Sequence, residues 1–125
     1  VFYTDGENTL TTPQRTAFER YLQRGGGFVG LHSTSNTDKS NWPWWKELFG
    51  GGFFVNHPPI QSATVNVEDP EHPATAQFGS SFQWPSDEFY NLAANPRDAG
   101  VKVLLTVDES TYNGGQMGED HPVSW

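Results

Sequence analysis

The chain has 125 residues, 34% of them hydrophobic, with 13 glycines besides, which suits one globular domain and excludes a disordered chain. Acidic residues number 15 against 7 basic ones, a formal net charge of −8 that argues against nucleic acid or an anionic membrane as main partner, since both need clustered Lys or Arg. Cysteine is absent, which excludes disulfides, thiolate metal sites and cysteine nucleophiles within these residues.

Val1 to Thr4 reads as the end of a buried strand, and Asp5-Gly6-Glu7-Asn8 as a loop. Thr12-Pro13 opens a helix, with Thr12 as N-cap and Pro13 at the first helical position. Ala17, Phe18, Tyr21 and Leu22 then recur at helical spacing, and Gly25-Gly26-Gly27 ends the run. Phe28-Val29-Gly30-Leu31 is a second short strand. A strand, a helix and a strand in succession form the β-α-β pattern of a parallel sheet.

Trp42 to Phe49 predicts a short helix capped by Asn41 and stopped by Gly50-Gly51-Gly52. Phe53 to Pro59 is irregular, because Pro58-Pro59 forbids helix. Thr64 to Glu68 alternates as a strand with Val65 and Val67 on one face. Asp69 to Thr75 is a turn-rich loop, Asp87 to Leu92 a short strand, and Val101 to Val107 a strong one. Tyr112 to Asp120 is a glycine-rich loop leading into His121-Pro122. The elements make a single α/β domain over residues 1–125. Both ends are apolar, at Val1-Phe2-Tyr3 and at Val123-Ser124-Trp125, and read as cuts in a longer chain with strands missing on either side. No apolar run approaches the length that spans a bilayer.

The residues able to carry chemistry gather on loops. His32 follows the Phe28–Leu31 strand directly, and open parallel sheets bind ligands beyond the carboxyl ends of their strands. The plainer alternative is a histidine satisfied by neighbouring backbone. His57, His72 and His121 each precede proline, which forces extended geometry and stiffens the loop that presents the ring. Any one of these is more simply a turn; the recurrence is what favours function. Asp87 and Glu88 are adjacent, so on a strand they point to opposite faces, and Glu88 is the sharper candidate for a general base. Asp120, beside His121, is a further candidate acid. The catalytic candidates are therefore His32, Glu88, His121 and Asp120, and the substrate-binding ones His57, His72, Trp44 and Asp87.

Trp42, Trp44 and Trp45 are first of all core, although Trp44 or Trp42 facing outward would offer a flat ring to a sugar. A divalent metal stays an option only if separate loops assemble its ligands. No His-x-x-x-His pair or HExxH motif is present, and no residue is assigned as a ligand. A serine hydrolase is disfavoured, because Gly30-Leu31-His32-Ser33-Thr34 lacks the G-x-S-x-G elbow.

The run Gly25-Gly26-Gly27-Phe28-Val29-Gly30-Leu31-His32-Ser33 resembles the signature of ThuA-like (trehalose utilisation) domains. The likeness continues through Trp42-Pro43-Trp44-Trp45, Gly51-Gly52-Phe53-Phe54 with His57-Pro58, and Glu68-Asp69-Pro70 with His72-Pro73-Ala74-Thr75. It extends over Asp87-Glu88-Phe89-Tyr90, Asn95-Pro96-Arg97, Leu104-Leu105 with Asp108-Glu109-Ser110, and Met117-Gly118-Glu119-Asp120-His121-Pro122. The resemblance implies a flavodoxin-like three-layer α/β fold with a parallel sheet, similar to class I glutamine amidotransferases. His32 stands where an amidotransferase has its nucleophilic cysteine, so amidotransferase chemistry is not implied. What it implies about function is carbohydrate metabolism: acid/base chemistry on trehalose-type or 3-keto sugars at a His and carboxylate cluster. The alternative is a non-catalytic sugar-binding or structural module of a multidomain secreted protein. A small-molecule carbohydrate is the implied partner, with further domains in the parent chain and an extracellular or periplasmic location.

Overall fold

The computed structural model describes residues 1–38 and 40–125. They form two compact units, Val1–Leu48 and Phe49–Trp125.

The first unit packs aromatic rings from two helices around one parallel backbone pairing. Helix α1 runs Thr12–Gln23, one residue earlier at its cap than the Pro13 rule places it, with Thr11 as N-cap. Gln14 reaches back so that its Oε1 accepts both the Thr11 N–H (2.8 Å) and the Thr11 hydroxyl (2.9 Å). At the other end Gly25 is left-handed, φ +88°. Its N–H donates to the Leu22 carbonyl while Gly26 N–H donates to that of Tyr21, which is the double bond of a Schellman stop. A Cβ at Gly26 would collide with the Tyr21 ring, so the second glycine of the run is required on steric grounds. Beyond it, Phe2 pairs in parallel with Gly30: Phe2 N–H donates to Val29 and Leu31 N–H to Phe2. The two strands expected at Val1–Thr4 and Phe28–Leu31 reduce to that single parallel bridge, and neither forms a strand. Helix α2 spans Pro43–Leu48. Its cap is Trp42, whose carbonyl accepts from Lys46 N–H (3.4 Å), rather than the expected Asn41. Trp45 is fully buried and packs against Phe2, Phe18, Phe28 and Trp42.

The second unit carries two sheets. Strands β1 (Phe54–Asn56) and β4 (Asn91–Leu92) form one; β2 (Gln61–Val67), β3 (Ser81–Asp87), β5 (Leu105–Val107) and β6 (Pro122–Ser124) form the other, in the order β3-β2-β5-β6. Every strand pair in both is antiparallel. The expected flavodoxin-like parallel sheet is therefore absent from the described sheets, and the reason lies in the connections. A parallel return needs a crossover, usually a helix. Between β2 and β3 the chain has only a prolyl turn, fixed by the Thr75 hydroxyl bonding to the Asp69 and His72 carbonyls. Between β5 and β6 it has a 3-10 turn at Glu109–Thr111 and the glycine-rich loop.

The core of this unit is Ala63, Val65, Phe89, Val107 and Tyr112, with Phe82, Leu105 and Val123 packed on its margin. The period-two reading of Val65 and Val67 places the right face of β2 inward, with Ala63 and Val65 the buried pair. The strand expected over Asp87–Leu92 is divided: its first residue ends β3 and its last two are β4, so that Glu88, Phe89 and Tyr90 form the link between the two sheets. Among the described residues no helix is long and apolar enough to cross a membrane.

Candidate functional site

In the first unit, His32 is exposed and opens a 3-10 turn, His32–Asn36, directly after the Phe2–Gly30 pairing. Its φ is +49°, a left-handed conformation that non-glycine residues adopt at a cost of about 1 kcal/mol or more. Thr34 holds the turn: its hydroxyl donates to the Leu31 carbonyl (2.8 Å) and lies 3.0 Å from that of Phe2. Gly30 is needed beside it, since a Cβ there would press on Phe28 and Thr34 at 3.0 and 3.1 Å. A sharp strand-to-helix turn that strains the residue at its apex presents that side chain outward. His32→Gly should therefore raise stability by up to about 1 kcal/mol while removing the ring. Urea unfolding checks this; a loss of stability would mean that the ring, not the turn, holds the conformation.

In the second unit, His57, Glu88 and Tyr90 converge. His57 follows β1, and its Nδ1–H donates to the Pro58 carbonyl (2.8 Å), which assigns the proton of the neutral ring to Nδ1 and leaves Nε2 as the basic nitrogen. Nε2 lies 3.8 Å from Glu88 Oε1, both side chains about one-third exposed. The other oxygen, Glu88 Oε2, is 3.5 Å from the Tyr90 hydroxyl. Glu88 and Tyr90 share a side because they are two residues apart in extended chain. The rings of Phe54 and Tyr90 meet at 4.4 Å, with His57 5.9 Å from each. One carboxylate is thus flanked by an imidazole and a phenol, on a wall of aromatic faces. Asp87 is engaged differently: Trp84 Nε1–H donates to its Oδ2 (2.9 Å) and the Glu88 amide to its Oδ1 (2.8 Å).

His121 lies behind this group and is wholly buried. Its Nε2–H donates to the Tyr90 carbonyl (2.8 Å). Its Nδ1 meets the Tyr112 hydroxyl at 2.9 Å and Glu109 Oε1 at 2.8 Å. Burial pushes the Tyr112 phenol above its ordinary range, and the Glu109 charge adds to the effect. Both ring nitrogens of His121 are thus occupied away from solvent. Within this unit a metal would find His57 Nε2 and Glu88 side by side, fewer than the three protein ligands of a catalytic zinc. Among the described residues, no three His, Asp or Glu side chains gather as a metal-ligand group.

The family model for ThuA, described as trehalose utilisation, matches residues 1–125. The chain belongs to the ThuA family. A solved ThuA-like protein from Bacteroides uniformis is 37% identical, superposes with a TM-score of 0.78, and matches 90% of this chain and 49% of its own. A second, from Parabacteroides merdae, is 22% identical with a TM-score of 0.75, over 95% of this chain and 51% of its own, and shows likeness of fold alone. The chain spans about half the length of these two ThuA-like proteins. None of the curated proteins matches it.

The remaining candidates of this ThuA chain stand in local roles. Asp120 forms a two-pronged ion pair with Arg97 (2.9 and 3.0 Å) and accepts from Asn95 Nδ2 (2.8 Å). The Arg97 guanidinium holds the Asp120 carboxyl below the usual carboxylate range. The ionised carboxyl therefore stabilises the fold above its unfolded value of about 3.9, and that contribution is lost as pH falls through the lower folded value. Acid titration of stability should accordingly be steeper in the wild type than in Asp120→Asn below roughly pH 4; equal slopes would contradict it. His72 accepts the Ala74 N–H on Nδ1 (3.2 Å) within the prolyl turn. Trp44 is half-buried, stacked on Trp42 at 5.7 Å and edge-on to Phe18. A concavity at the end of α1, lined by Ala17, Arg20, Tyr21, Arg24, Gly25 and Gly26, holds none of these candidates.

Sequence reasoning missed Tyr90 and Phe54 beside His57 and Glu88, and Glu109 and Tyr112 beside His121, in this candidate site. The spacing of Glu88 and Tyr90 was the available signal for the first. Glu109 and Tyr112 carried none, since their meeting with His121 depends on the path of the glycine-rich loop.

Proposed function

We propose that this ThuA domain processes carbohydrates, acting on trehalose-type or 3-keto sugars by proton transfer at Glu88. The observation that carries the reading is the pairing of one partly exposed carboxylate with His57 Nε2 at 3.8 Å and the Tyr90 hydroxyl at 3.5 Å. A carboxylate placed so is suited to take the proton from a carbon next to a sugar ketone. The bonding pair moves onto the carbonyl oxygen as an enolate, and the Tyr90 hydroxyl is the donor suited to that oxygen. Return of the proton to the neighbouring carbon gives an isomer. Expulsion of a leaving group from the carbon β to the ketone re-forms the carbonyl and gives elimination instead, the departing group taking the proton that Glu88 removed, passed on through the basic Nε2 of His57. The faces of Phe54 and Tyr90 suit the apolar side of a sugar ring.

His32 keeps a place in the proposal on separate ground, its strained left-handed backbone at a strand end. A flavodoxin-like layered arrangement of the family fold also belongs to this reading. The parallel Phe2–Gly30 pairing across α1 supports it. The test is steady-state turnover of 3-keto-glycosides and of trehalose by the chain. Saturable turnover is expected; sugar binding without turnover would move the reading to a non-catalytic sugar-binding module.

A further inference from the structure

The catalytic reading leaves unexplained why a fully buried histidine sits behind the site with both nitrogens committed. The network around it reaches the backbone on both sides of the Glu88 cluster. His121 Nε2–H holds the Tyr90 carbonyl. Next in sequence, Asn91 donates from Nδ2 to Asn56 Oδ1 (2.7 Å) and to the Gly114 carbonyl (3.2 Å), and accepts the Gln116 N–H on Oδ1 (2.8 Å). Asn56 immediately precedes His57. Glu109 Oε1, at His121 Nδ1, also accepts the Met117 N–H (2.7 Å). The loop so held lies on the His57-Pro58 segment, where Gly114, φ +93°, approaches the Pro58 ring so closely that a Cβ would be 2.7 Å from it.

We infer that His121, backed by Glu109 and Tyr112, is a positioning residue that sets the geometry of His57, Glu88 and Tyr90 without touching substrate. The chemistry of the donors requires it to act as a bridge. The Tyr90 carbonyl only accepts, so Nε2 carries a proton. Nδ1 lies 2.8 Å from Glu109 Oε1 and 2.9 Å from the Tyr112 hydroxyl, so the ring is tied at both ends at once. Gly115 fits the same account: a Cβ there would collide with the Glu109 carboxyl and drive it off the ring. Misplacing reacting groups by about an ångström costs up to about a hundredfold in rate, which is the scale open to such a residue.

This inference rests on the proposed function for its kinetic half only, and the test separates the two. The variants are His121→Gln, which can still donate to the Tyr90 carbonyl from its side-chain end, and His121→Asn, which is too short to do so. Turnover is measured with a 3-keto-glycoside, and the nuclear Overhauser contact between the His57 and Tyr90 rings is recorded in the absence of sugar. The expected result is a kcat roughly tenfold or more lower in His121→Asn with KM little changed, largely restored in His121→Gln. The ring contact should be lost in the first and kept in the second. If the wild type turns over no sugar, the proposed function fails, and the ring contact alone decides the positioning role. An unchanged contact and kcat in His121→Asn overturn it. Should His121→Asn not fold, Gly115→Ala carries the same comparison. It leaves every hydrogen-bonding side chain in place and is expected to weaken the ring contact; an unchanged contact there overturns the inference equally.

Discussion

Replacing Glu88 with glutamine is expected to lower kcat on a 3-keto sugar by about two to four orders of magnitude, the usual worth of a positioned general base. The substitution changes little else. Glutamine keeps the shape of the side chain and an oxygen for the Tyr90 hydroxyl, and Glu88 is about one-third exposed, so no buried charge is stranded. The loss should fall on kcat and leave KM nearly unchanged, because the amide removes a group needed only while the proton moves. His57→Gln should cost less, roughly tenfold, since its Nε2 stands 3.8 Å from the carboxylate and serves the second proton rather than the first. Steady-state kinetics of the two variants check the order. A His57 effect larger than that of Glu88 would reverse the roles.

Trp45→Ala is expected to cost about 3–5 kcal/mol of stability, as deletions of large buried aromatics do. Trp45 is fully buried, and it stands at the centre of the first unit rather than at its edge. Its ring is stacked on Trp42 at 4.9 Å with an interplanar angle of 7°, and meets Phe28 at 5.5 Å, Phe2 and Phe18 at 5.9 Å. Removal leaves a cavity between α1, α2 and the Phe2–Gly30 pairing that these rings cannot close without losing each other. Domains are stable by only about 5–15 kcal/mol, so a change of this size would leave the first unit marginal. Urea unfolding followed by circular dichroism measures it. A loss below about 1 kcal/mol would show that the aromatic cluster repacks.

The local signals in the sequence translated well where one residue's chemistry decides the backbone. The glycine run at residues 25–27 became a helix stop because only a left-handed residue makes that pair of bonds. His32 opens a turn because the Phe2–Gly30 pairing ends just before it. The alternation of Val65 with its neighbours found the inner face of β2. Sheet direction was not legible in the same way. The β-α-β pattern of the first thirty or so residues was extended to a chain whose later connections contain no crossover helix. Whether Val101–Val107 pairs parallel or antiparallel depends on where the chain goes between strands, and β6 was invisible because Pro122-Val123-Ser124 is too short to alternate. The candidate site shows the same division. The His-Pro motifs and the Asp87-Glu88 pair pointed to His57 and Glu88, which meet. The same reading named His121 and Asp120 as catalytic and His72 as substrate-binding candidates, and only tertiary structure distinguishes a buried bridge, a salt-bridged carboxylate and a turn cap from a group that faces solvent.

The most direct test of proton transfer at Glu88 is hydrogen–deuterium exchange in the sugar itself. A 3-keto-glycoside is incubated with the protein in heavy water, and the proton on the carbon next to the ketone is followed by NMR. The account predicts that the wild type washes deuterium into that position far faster than buffer does, and that Glu88→Gln falls to the buffer rate. Exchange at the same rate in both proteins, or none above buffer in the wild type, would contradict it.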